Sequence, residues 1–393
     1  MTFRELWDQI APIGLSAATG GYLRYAWTEP ELALRDWFRS QCRERELTME
    51  EDGNGNLFAW WNPSDEPGVL TGSHFDSVPH GGAYDGPLGI VSALLAVDAL
   101  RDRGFRPARP IGIAAFAEEE GSRFGLACLG SRLLCGAVEA ETAAALRDRD
   151  GVTLGSAMGV VPAGARKEVL TRIGSYVELH VEQGRGLAES GRPVGVASAI
   201  WPHGRWRLDF TGEANHAGTT LMADRHDPML TFAYTVLAAN KEARLRGAHA
   251  TIGRIAVEPN ATNAIPARVS AWLDARAAAA SVVEDLVAAV HGRAVERSHR
   301  DGTQVSLTPE SVSAETTFDG ELRDRIARLL DDAPILPTGA GHDAGVLSAH
   351  VPTAMLFVRN PTGVSHSPAE YASDADCEAG VTALADVLAE LAS

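Results

Sequence analysis

The sequence predicts an α/β fold in which a mixed, mostly parallel sheet forms the larger domain, and a smaller, ferredoxin-like α+β domain is inserted into it. Short apolar runs alternate with helical patterns before residue 200 and after residue 310, and such runs are typical of buried parallel strands. Between these positions, apolar and polar residues alternate instead, which is typical of half-exposed antiparallel strands. We therefore predict one domain from residues 1–200 with 311–393, and an inserted domain from residues 201–310.

The first part of the larger domain is predicted to contain a βαβ unit. Ile111 to Ala117 is a continuous apolar run that follows Pro110 and ends in charged residues. A run of this length and composition predicts a buried parallel strand. In chain order, the predicted elements are a helix at 31–49, strands at 56–61 and 67–72, a helix at 88–103, and strands at 111–117 and 173–182.

The inserted domain is predicted to have the order strand, helix, two strands, helix, strand. Its strands are the segments GRWRLDF, ATIGRIAVEP, ARVSAWLDAR and TQVSLTP, and its helices lie at about 228–246 and 282–297. This order is the split βαβ pattern of a small antiparallel sheet. The larger domain then resumes with a helix near 321–331 and the apolar strand PTAMLFV.

The composition argues against several classes of partner. The 393-residue chain has a formal net charge of −17, and both nucleic acid and anionic membranes attract basic surfaces instead. No apolar run reaches the roughly 18 residues of a membrane span, and the opening residues MTFRELWDQI do not resemble a signal peptide. The 4 cysteines form no Cys-x-x-Cys pair, so we expect no zinc ribbon and a reducing, cytoplasmic location.

Polar groups that could bind metal lie at the ends of predicted strands. The clusters are His74 with Asp76 and Asp85, the run Glu118 to Glu120, His180 with Glu182, and His342 and Asp343 with His366. The carboxyl ends of parallel strands line one crevice, so residues that are distant in sequence can meet there. Imidazole and carboxylate ligands without a thiolate suit zinc, manganese, cobalt or nickel.

The glutamates from Glu118 to Glu120 have two interpretations. Three like charges in a row are often a solvated turn. Here, however, they follow a strand that is too apolar to be exposed, and like charges held at such a position need a cation to offset their repulsion. One glutamate could bind metal while its neighbour acts as a general base.

Other residues with possible chemistry are given structural interpretations. Histidines such as His80, His203 and His226 are interpreted as surface or structural residues, and Cys128 and Cys135 as core residues. No G-x-S-x-G segment is present, which argues against a serine hydrolase. The glycines near 339–345 do not have the spacing of a nucleotide-binding loop.

Several motifs, taken together, are specific to one enzyme family. They are GSHFDSVPHGGAYDGPLG, AEEEGSRFG, VELHVEQG, GEANHAGTT, PNATNAIP with DAR, and GAGHDA with GVSHSPAE, from about residue 71 to residue 370. In this order they resemble the amidohydrolase branch of the dinuclear metal aminoacylase/carboxypeptidase superfamily. That branch includes N-carbamoyl-L-amino-acid hydrolases, allantoate amidohydrolases and β-ureidopropionases. The resemblance implies a metal-binding catalytic domain with an inserted lid or dimerisation domain.

The resemblance implies two divalent metal ions per subunit, of zinc, manganese, cobalt or nickel. His74 and His180 would each bind one ion, and Asp85 would bridge the two. Glu120 would join one ion and His366 the other.

Further roles follow from the same motifs. Glu119 would be the general base, and Asp76 would support His74 as a hydrogen-bond partner. The positions that match substrate-binding residues are Gln183, Asn263, Arg276 and His216. Arg276 would bind a carboxylate, because its planar fork can do so bidentately. His216, in the inserted domain, would reach the active site of the partner subunit of a homodimer and stabilise the tetrahedral intermediate.

The implied reaction is hydrolysis of the C–N bond of a small, carboxylate-bearing ureido or N-carbamoyl acid, with release of ammonia and carbon dioxide. Allantoate is the leading substrate, and an N-carbamoyl-L-amino-acid hydrolase or related N-acyl-amino-acid hydrolase is the alternative. A non-catalytic protein of the same fold is a rival, but every proposed metal ligand and Glu119 are present. A nucleotide-binding oxidoreductase is a second rival, and the missing glycine fingerprint argues against it.

Overall fold

A computed structural model describes all residues from 1 to 393. The chain divides into two compact units. The first consists of Met1–Ala199 and Thr317–Ser393, and the second of Ile200–Thr316.

The structure contains both helices and strands throughout the chain. The strands are β1 (Thr48–Glu51), β2 (Leu57–Trp61), β3 (Gly68–His74), β4 (Ile111–Phe116), β5 (Ile173–Val181), β6 (Val194–Ile200), β7 (His203–Thr211), β8 (Asn215–His216), β9 (His249–Glu258), β10 (Ala264–Ile265), β11 (Arg268–Arg276), β12 (Gln304–Ser313), β13 (Thr316–Thr317), β14 (Ile335–Thr338) and β15 (Thr353–Val358). The helices are α1 (Phe3–Ile10), α2 (Glu29–Glu44), α3 (Pro87–Asp102), α4 (Leu129–Cys135), α5 (Ala140–Ala144), α6 (Leu154–Met158), α7 (Lys167–Leu170), α8 (Gly186–Ser190), α9 (Pro228–Arg246), α10 (Ala280–Asp301), α11 (Gly320–Leu329), α12 (Asp343–Leu347) and α13 (Asp374–Leu391).

The first unit is built on a mixed sheet whose central strands are parallel. The strands lie in the order β1-β2-β4-β3-β5-β15-β6. Strand β3 pairs in parallel with β4 and β5, and β5 pairs in parallel with β15. The outer pairs β1–β2, β2–β4 and β15–β6 are antiparallel. The predicted mixed, mostly parallel α/β sheet is therefore confirmed.

Burial on both faces explains why the sequences of these central strands are nearly unbroken apolar runs. Every residue of β3, β4 and β15 is buried. Helix α3 adds Leu88, Ile90 and Leu94 to the main hydrophobic core, and α13 adds Leu384 and Leu388. Apolar surface removed from water in this way is the main term that holds such a layered fold together. Polar residues directly follow or end several of these central strands.

The second unit is a four-stranded antiparallel sheet with two helices. Its strands lie in the order β12-β7-β11-β9, and every neighbouring pair is antiparallel. Along the chain the order is β7, α9, β9, β11, α10 and β12, which matches the split βαβ order predicted from the sequence. Side chains such as Leu208, Leu273 and Leu286 form its own hydrophobic core.

None of the helices combines the length and the apolar composition that crossing a membrane would require.

Candidate active site

Three neighbouring parallel strands place polar side chains at one edge of the sheet. His74 is the last residue of β3, and it lies opposite Phe116, the last residue of β4. The run Glu118 to Glu120 follows β4 directly, and His180 lies one residue before the end of β5. Because these strands are parallel, their carboxyl ends bring the residues together, as the sequence predicts.

Asp85 lies at the centre of this group and presents its two carboxylate oxygens to different residues. Its Oδ1 atom lies 3.2 Å from Nε2 of His180 and 3.7 Å from Nε2 of His74. Its Oδ2 atom lies 3.3 Å from Nε2 of His366, and Glu120 Oε2 lies 3.7 Å from the same nitrogen. Asp85 is thus the residue that links all four of the other predicted metal ligands.

The side chains form two groups that could each hold a metal ion. One group is His74, Asp85 and His180, the other is Asp85, Glu120 and His366, and within each group the ligand atoms lie within 4.8 Å of one another. This grouping differs from the division of the ligands that the motifs imply. His74 and His180 fall in the same group, and Glu120 falls in one group with His366.

The hydrogen bonds of His74 and His180 fit a cation. Nδ1 of His74 lies 3.0 Å from the carbonyl oxygen of Asp76, and Nδ1 of His180 lies 2.9 Å from that of Val181. A carbonyl can only accept, so both Nδ1 atoms carry protons. Both Nε2 atoms are buried and lack a hydrogen-bond partner. They lie beside Asp85. A metal-binding imidazole is oriented in the same way, because it donates one ring N–H to a carbonyl or carboxylate and turns its other nitrogen towards the metal.

The charges of the site also fit a cation. Burial lowers the pKa of His74 to about 4, so its Nε2 is unprotonated at neutral pH. Burial alone would lower the pKa of His180 too, but Asp85 raises it to about 9. Burial and Glu120 raise the pKa of Glu119 well above its ordinary value, and burial and Asp85 do the same to that of Glu120. A bound cation would replace the His180 proton and offset the repulsion between the carboxylates.

Asp76 has a different set of contacts from the one expected. Its backbone oxygen accepts the hydrogen bond from His74, while its carboxylate Oδ1 lies 3.6 Å from the same Nδ1. The carboxylate instead accepts hydrogen bonds of 3.1 Å and 3.0 Å from the backbone N–H groups of Glu119 and Glu120. Asp76 therefore holds the two glutamates as well as the imidazole.

Glu370 is a further residue of the site. It ends the motif GVSHSPAE, but no role was predicted for it from the sequence. Its Oε1 atom accepts hydrogen bonds of 2.9 Å and 3.0 Å from the backbone N–H groups of Tyr84 and Asp85. Ser365 donates a hydrogen bond of 3.0 Å to Oε2. A Cβ atom at Gly82 would lie 2.3 Å from Oε1, so only glycine fits beside this carboxylate.

Glycine is also required at position 86, for a different reason from that at position 82. Its φ is +87°, a conformation that favours glycine, and an added Cβ would lie 2.5 Å from Cε1 of His74. Glycine at this position lets the chain turn from Asp85 into α3 while it packs against the imidazole.

Glu178 and His342 also line the site. Glu178 accepts a hydrogen bond of 3.2 Å from Ser73 and one of 2.9 Å from the backbone N–H of Ala344. With His180 and His342 it forms a third group of possible ligand atoms, which shares His180 with the first group. Both ring nitrogens of His342 are buried without a hydrogen-bond partner. His342 therefore lies among the side chains that line the site.

Gln183 and Cys128 contact the central carboxylates. Gln183 donates a hydrogen bond of 3.1 Å from Nε2 to Asp85 Oδ2. The Cys128 thiol, interpreted from the sequence as a core residue, is buried and donates to Glu119 Oε1 at 3.5 Å. No sequence signal separates such a thiol from an ordinary core cysteine, because the contact depends on the fold.

Three predicted residues, His216, Asn263 and Arg276, belong to the second unit. His216 lies in β8 opposite Ala264 of β10, and the N–H of Ala217 donates a hydrogen bond of 3.0 Å to the carbonyl of Asn263. Nδ1 of His216 accepts hydrogen bonds from Gly218 and Thr219, so its Nε2 carries the proton. The structure therefore brings His216 and Asn263 together, while Arg276 ends β11.

Comparisons with known proteins agree with the motifs. The sequence profile described as Peptidase family M20/M25/M40 matches residues 70–390. The chain is 36% identical to an N-carbamoyl-L-amino acid amidohydrolase of Geobacillus stearothermophilus over 99% of this chain and 98% of that protein. It is 33% identical to the allantoate amidohydrolase of Bacillus subtilis over 98% of this chain and 96% of that protein. A crystal structure of an amidase of the hydantoinase/carbamoylase family from Burkholderia vietnamiensis superimposes with a TM-score of 0.90, at 31% identity, over 99% of this chain and 97% of that one. The chain therefore belongs to the Peptidase family M20/M25/M40 and, within it, to the amidohydrolase branch of C–N hydrolases that its motifs indicate.

Proposed function

We propose that this protein cleaves the C–N bond of a small ureido or N-carbamoyl acid, with allantoate as the leading substrate. Ammonia, carbon dioxide and the acid that carries the amine would be the products. The observation that carries the proposal is that Asp85 belongs to both groups of ligating side chains, and that Glu119 lies beside His74 of the first group. Similarity along the whole chain to relatives named for allantoate and for N-carbamoyl amino acids supports the substrate class.

Two divalent cations would be held by the two groups that share Asp85. His74 and His180 would hold one, and Glu120 and His366 the other. Such cations, when bound, polarise a carbonyl oxygen and lower the pKa of water, and zinc, manganese, cobalt and nickel all accept these ligands. The two buried, unpartnered Nε2 atoms support this assignment.

Glu119 is the proposed general base. Its Oε2 atom lies 3.7 Å from Nε2 of His74, and Cys128 donates to its Oε1 atom. Asp76 fixes its backbone through the N–H group. In the proposed reaction, Glu119 takes a proton from the attacking water and then returns it to the leaving nitrogen. Its burial keeps bulk water from competing for that proton.

The second unit is the proposed lid and dimerisation domain. Arg276 would bind the substrate carboxylate, with Gln183 and Asn263 contacting the polar groups of the substrate. His216, whose Nε2 carries a proton, would donate a hydrogen bond to the developing oxyanion in the active site of the partner subunit. This arrangement requires a homodimer, which we propose works in the cytoplasm.

A screen for ammonia release tests the proposal. Purified protein would be supplied in turn with manganese, cobalt, zinc and nickel, and offered allantoate, several N-carbamoyl-L-amino acids, N-formyl amino acids and ureidopropionate. We expect metal-dependent ammonia release from allantoate, and release at least roughly 100-fold slower from a Glu119→Gln control. Ammonia release from none of these compounds with any of the metals would contradict the proposal.

An N-carbamoyl-L-amino-acid hydrolase is the second candidate. It is favoured by the 36% identity to the Geobacillus stearothermophilus enzyme, which is slightly above the 33% identity to the Bacillus subtilis allantoate amidohydrolase. Both substrates carry a ureido carbonyl and a carboxylate, so the same screen decides between them by their values of kcat/KM.

A further inference from the structure

Arg276, the proposed carboxylate anchor, forms two hydrogen bonds with an acidic side chain of its own strand. Nε of Arg276 donates to Oδ1 of Asp274 at 2.7 Å, and Nη2 donates to Oδ2 at 3.0 Å. The two residues are two positions apart on β11, so they point to the same face of the sheet. The residues between and before them, Ala275 and Leu273, are buried in the core on the other face.

A second arginine also lies close to the carboxylate of Asp274. On the neighbouring strand β7, Nε of Arg205 lies 3.6 Å from Oδ2 of Asp274. Arg276 itself lies opposite His203 on β7 and His249 on β9. Two guanidinium groups therefore lie beside this one carboxylate.

The ion pair between Arg276 and Asp274 is expected to contribute little to the stability of the fold. The side chains of Arg276 and Asp274 are 28% and 29% exposed, and ion pairs that reach solvent stabilise a fold very little. The bidentate geometry does have a definite physical effect. Arginine has a long, flexible stem, and holding its planar fork in one orientation before binding removes an ordering cost that substrate binding would otherwise carry.

We propose that Asp274 is a positioning residue that holds the guanidinium of Arg276 in the orientation that binds the substrate carboxylate. This inference rests on the proposed function, because it takes Arg276 as the carboxylate anchor. Asp274 acts only through Arg276 and contacts no reacting atom. Removal of its charge therefore weakens substrate binding and leaves the chemical step unchanged.

The test is a double-mutant cycle on the metal-loaded enzyme, with ammonia release from allantoate, or from the best N-carbamoyl-L-amino acid, as the readout. Asp274→Asn should raise KM about tenfold and change kcat less than twofold, because only the binding of the carboxylate is weakened. Arg276→Ala should raise KM further. In the Arg276→Ala background, Asp274→Asn should have no additional effect on KM. Asp274→Glu, which keeps the charge, should recover part of the lost affinity.

The chain offers a matched control in the same unit. Asp209 on β7 accepts a hydrogen bond of 2.8 Å from Nε of Arg207, also two positions away, and it has further contacts to Arg268 and Ser270. Asp209→Asn should leave KM unchanged, since it removes a strand ion pair that does not include Arg276.

The outcomes separate this inference from the proposed function. An unchanged KM in Arg276→Ala would remove the anchor assigned under the proposed function, and the inference with it. A raised KM in Arg276→Ala together with an unchanged KM in Asp274→Asn would overturn the inference alone. Additive effects in the double variant, or an equal rise of KM in Asp209→Asn, would also overturn the inference and leave the anchor in place.

Discussion

The Oε1 atom of Glu370 accepts a hydrogen bond of 3.0 Å from the backbone N–H of Asp85, 285 positions away in the sequence. A second hydrogen bond from Tyr84 reaches the same oxygen. This pair of contacts fixes the turn that carries Asp85 towards His180 and His366. A carboxylate that must serve two groups of ligands needs such support, because a small displacement would favour one group over the other.

Removal of the Glu370 carboxylate should weaken metal binding. We expect Glu370→Ala to lower the affinity for divalent ions roughly 10- to 100-fold, the usual effect of removing a partner that orients a ligand. Glu370→Gln, which keeps an oxygen at Oε1, should lose less. Metal content after dialysis against buffers of defined free ion concentration measures the effect, and an unchanged affinity in Glu370→Ala would disprove the role of this contact.

Loss of the Glu119 carboxylate should separate metal binding from turnover. Glu119→Gln is expected to keep the fold and both ions, but to lower kcat roughly 100- to 10,000-fold, because the proton acceptor is gone. The neighbouring Glu118 is the matched control. Its Oε1 atom accepts hydrogen bonds from the backbone N–H groups of Arg123 and Phe124. If Glu119→Gln turned over substrate as fast as Glu118→Gln, another group would have to be the base.

Mixed dimers should test whether His216 works in the partner's active site. Neither His216→Ala nor Glu119→Gln should be active alone. When the two chains are unfolded, mixed in equal amounts and refolded, about half of the dimers are mixed, and each of these contains one complete site of two. Activity should therefore return to about a quarter of that of the unmodified protein. No recovery in mixed dimers verified by mass would contradict a role of His216 in the partner's active site.

The metal-free protein should lose stability as the pH rises, and Glu118 should contribute to this loss. Burial, and next the charge of Asp76, raise the pKa of Glu118 from its ordinary value of 4.5 to about 8. The folded chain then holds a proton that the unfolded chain releases, so the free energy of unfolding falls between about pH 4.5 and pH 8. Glu118→Gln should reduce this slope by up to about 1.4 kcal/mol per pH unit. Urea unfolding at several pH values measures it, and equal slopes in the two proteins would contradict the assignment.

Much of the candidate site could be predicted because it follows the ends of parallel strands. His74, Glu119 and His180 each follow or end a buried apolar run, and the topology of the sheet brings such ends together. Elements such as α3, β4, α9 and α10 were predictable for a similar reason, since the apolar pattern of each segment reflects which face is buried.

Other features of the site depend on contacts that no local pattern records. The hydrogen bond between Glu370 and the backbone of Asp85 joins segments that are distant in the sequence. Glu178 is a charged residue of a type that is usually exposed, although β5 is buried at that point. The division of the ligands between two groups depends on which oxygen of Asp85 faces which imidazole. Side-chain rotation sets this, and the spacing of residues along the chain does not encode it.

A centre of two metal ions around Asp85 is best tested by a metal titration of the dialysed, metal-free protein, with bound ions and ammonia release measured together. We predict no activity without added ion, and activity that rises to a plateau as bound manganese, zinc, cobalt or nickel approaches two ions per chain. Asp85→Ala should bind neither ion tightly and should stay inactive, since both groups share this residue. Full ammonia release from the metal-free protein, or a plateau reached with one ion bound, would contradict a centre built from two groups around Asp85.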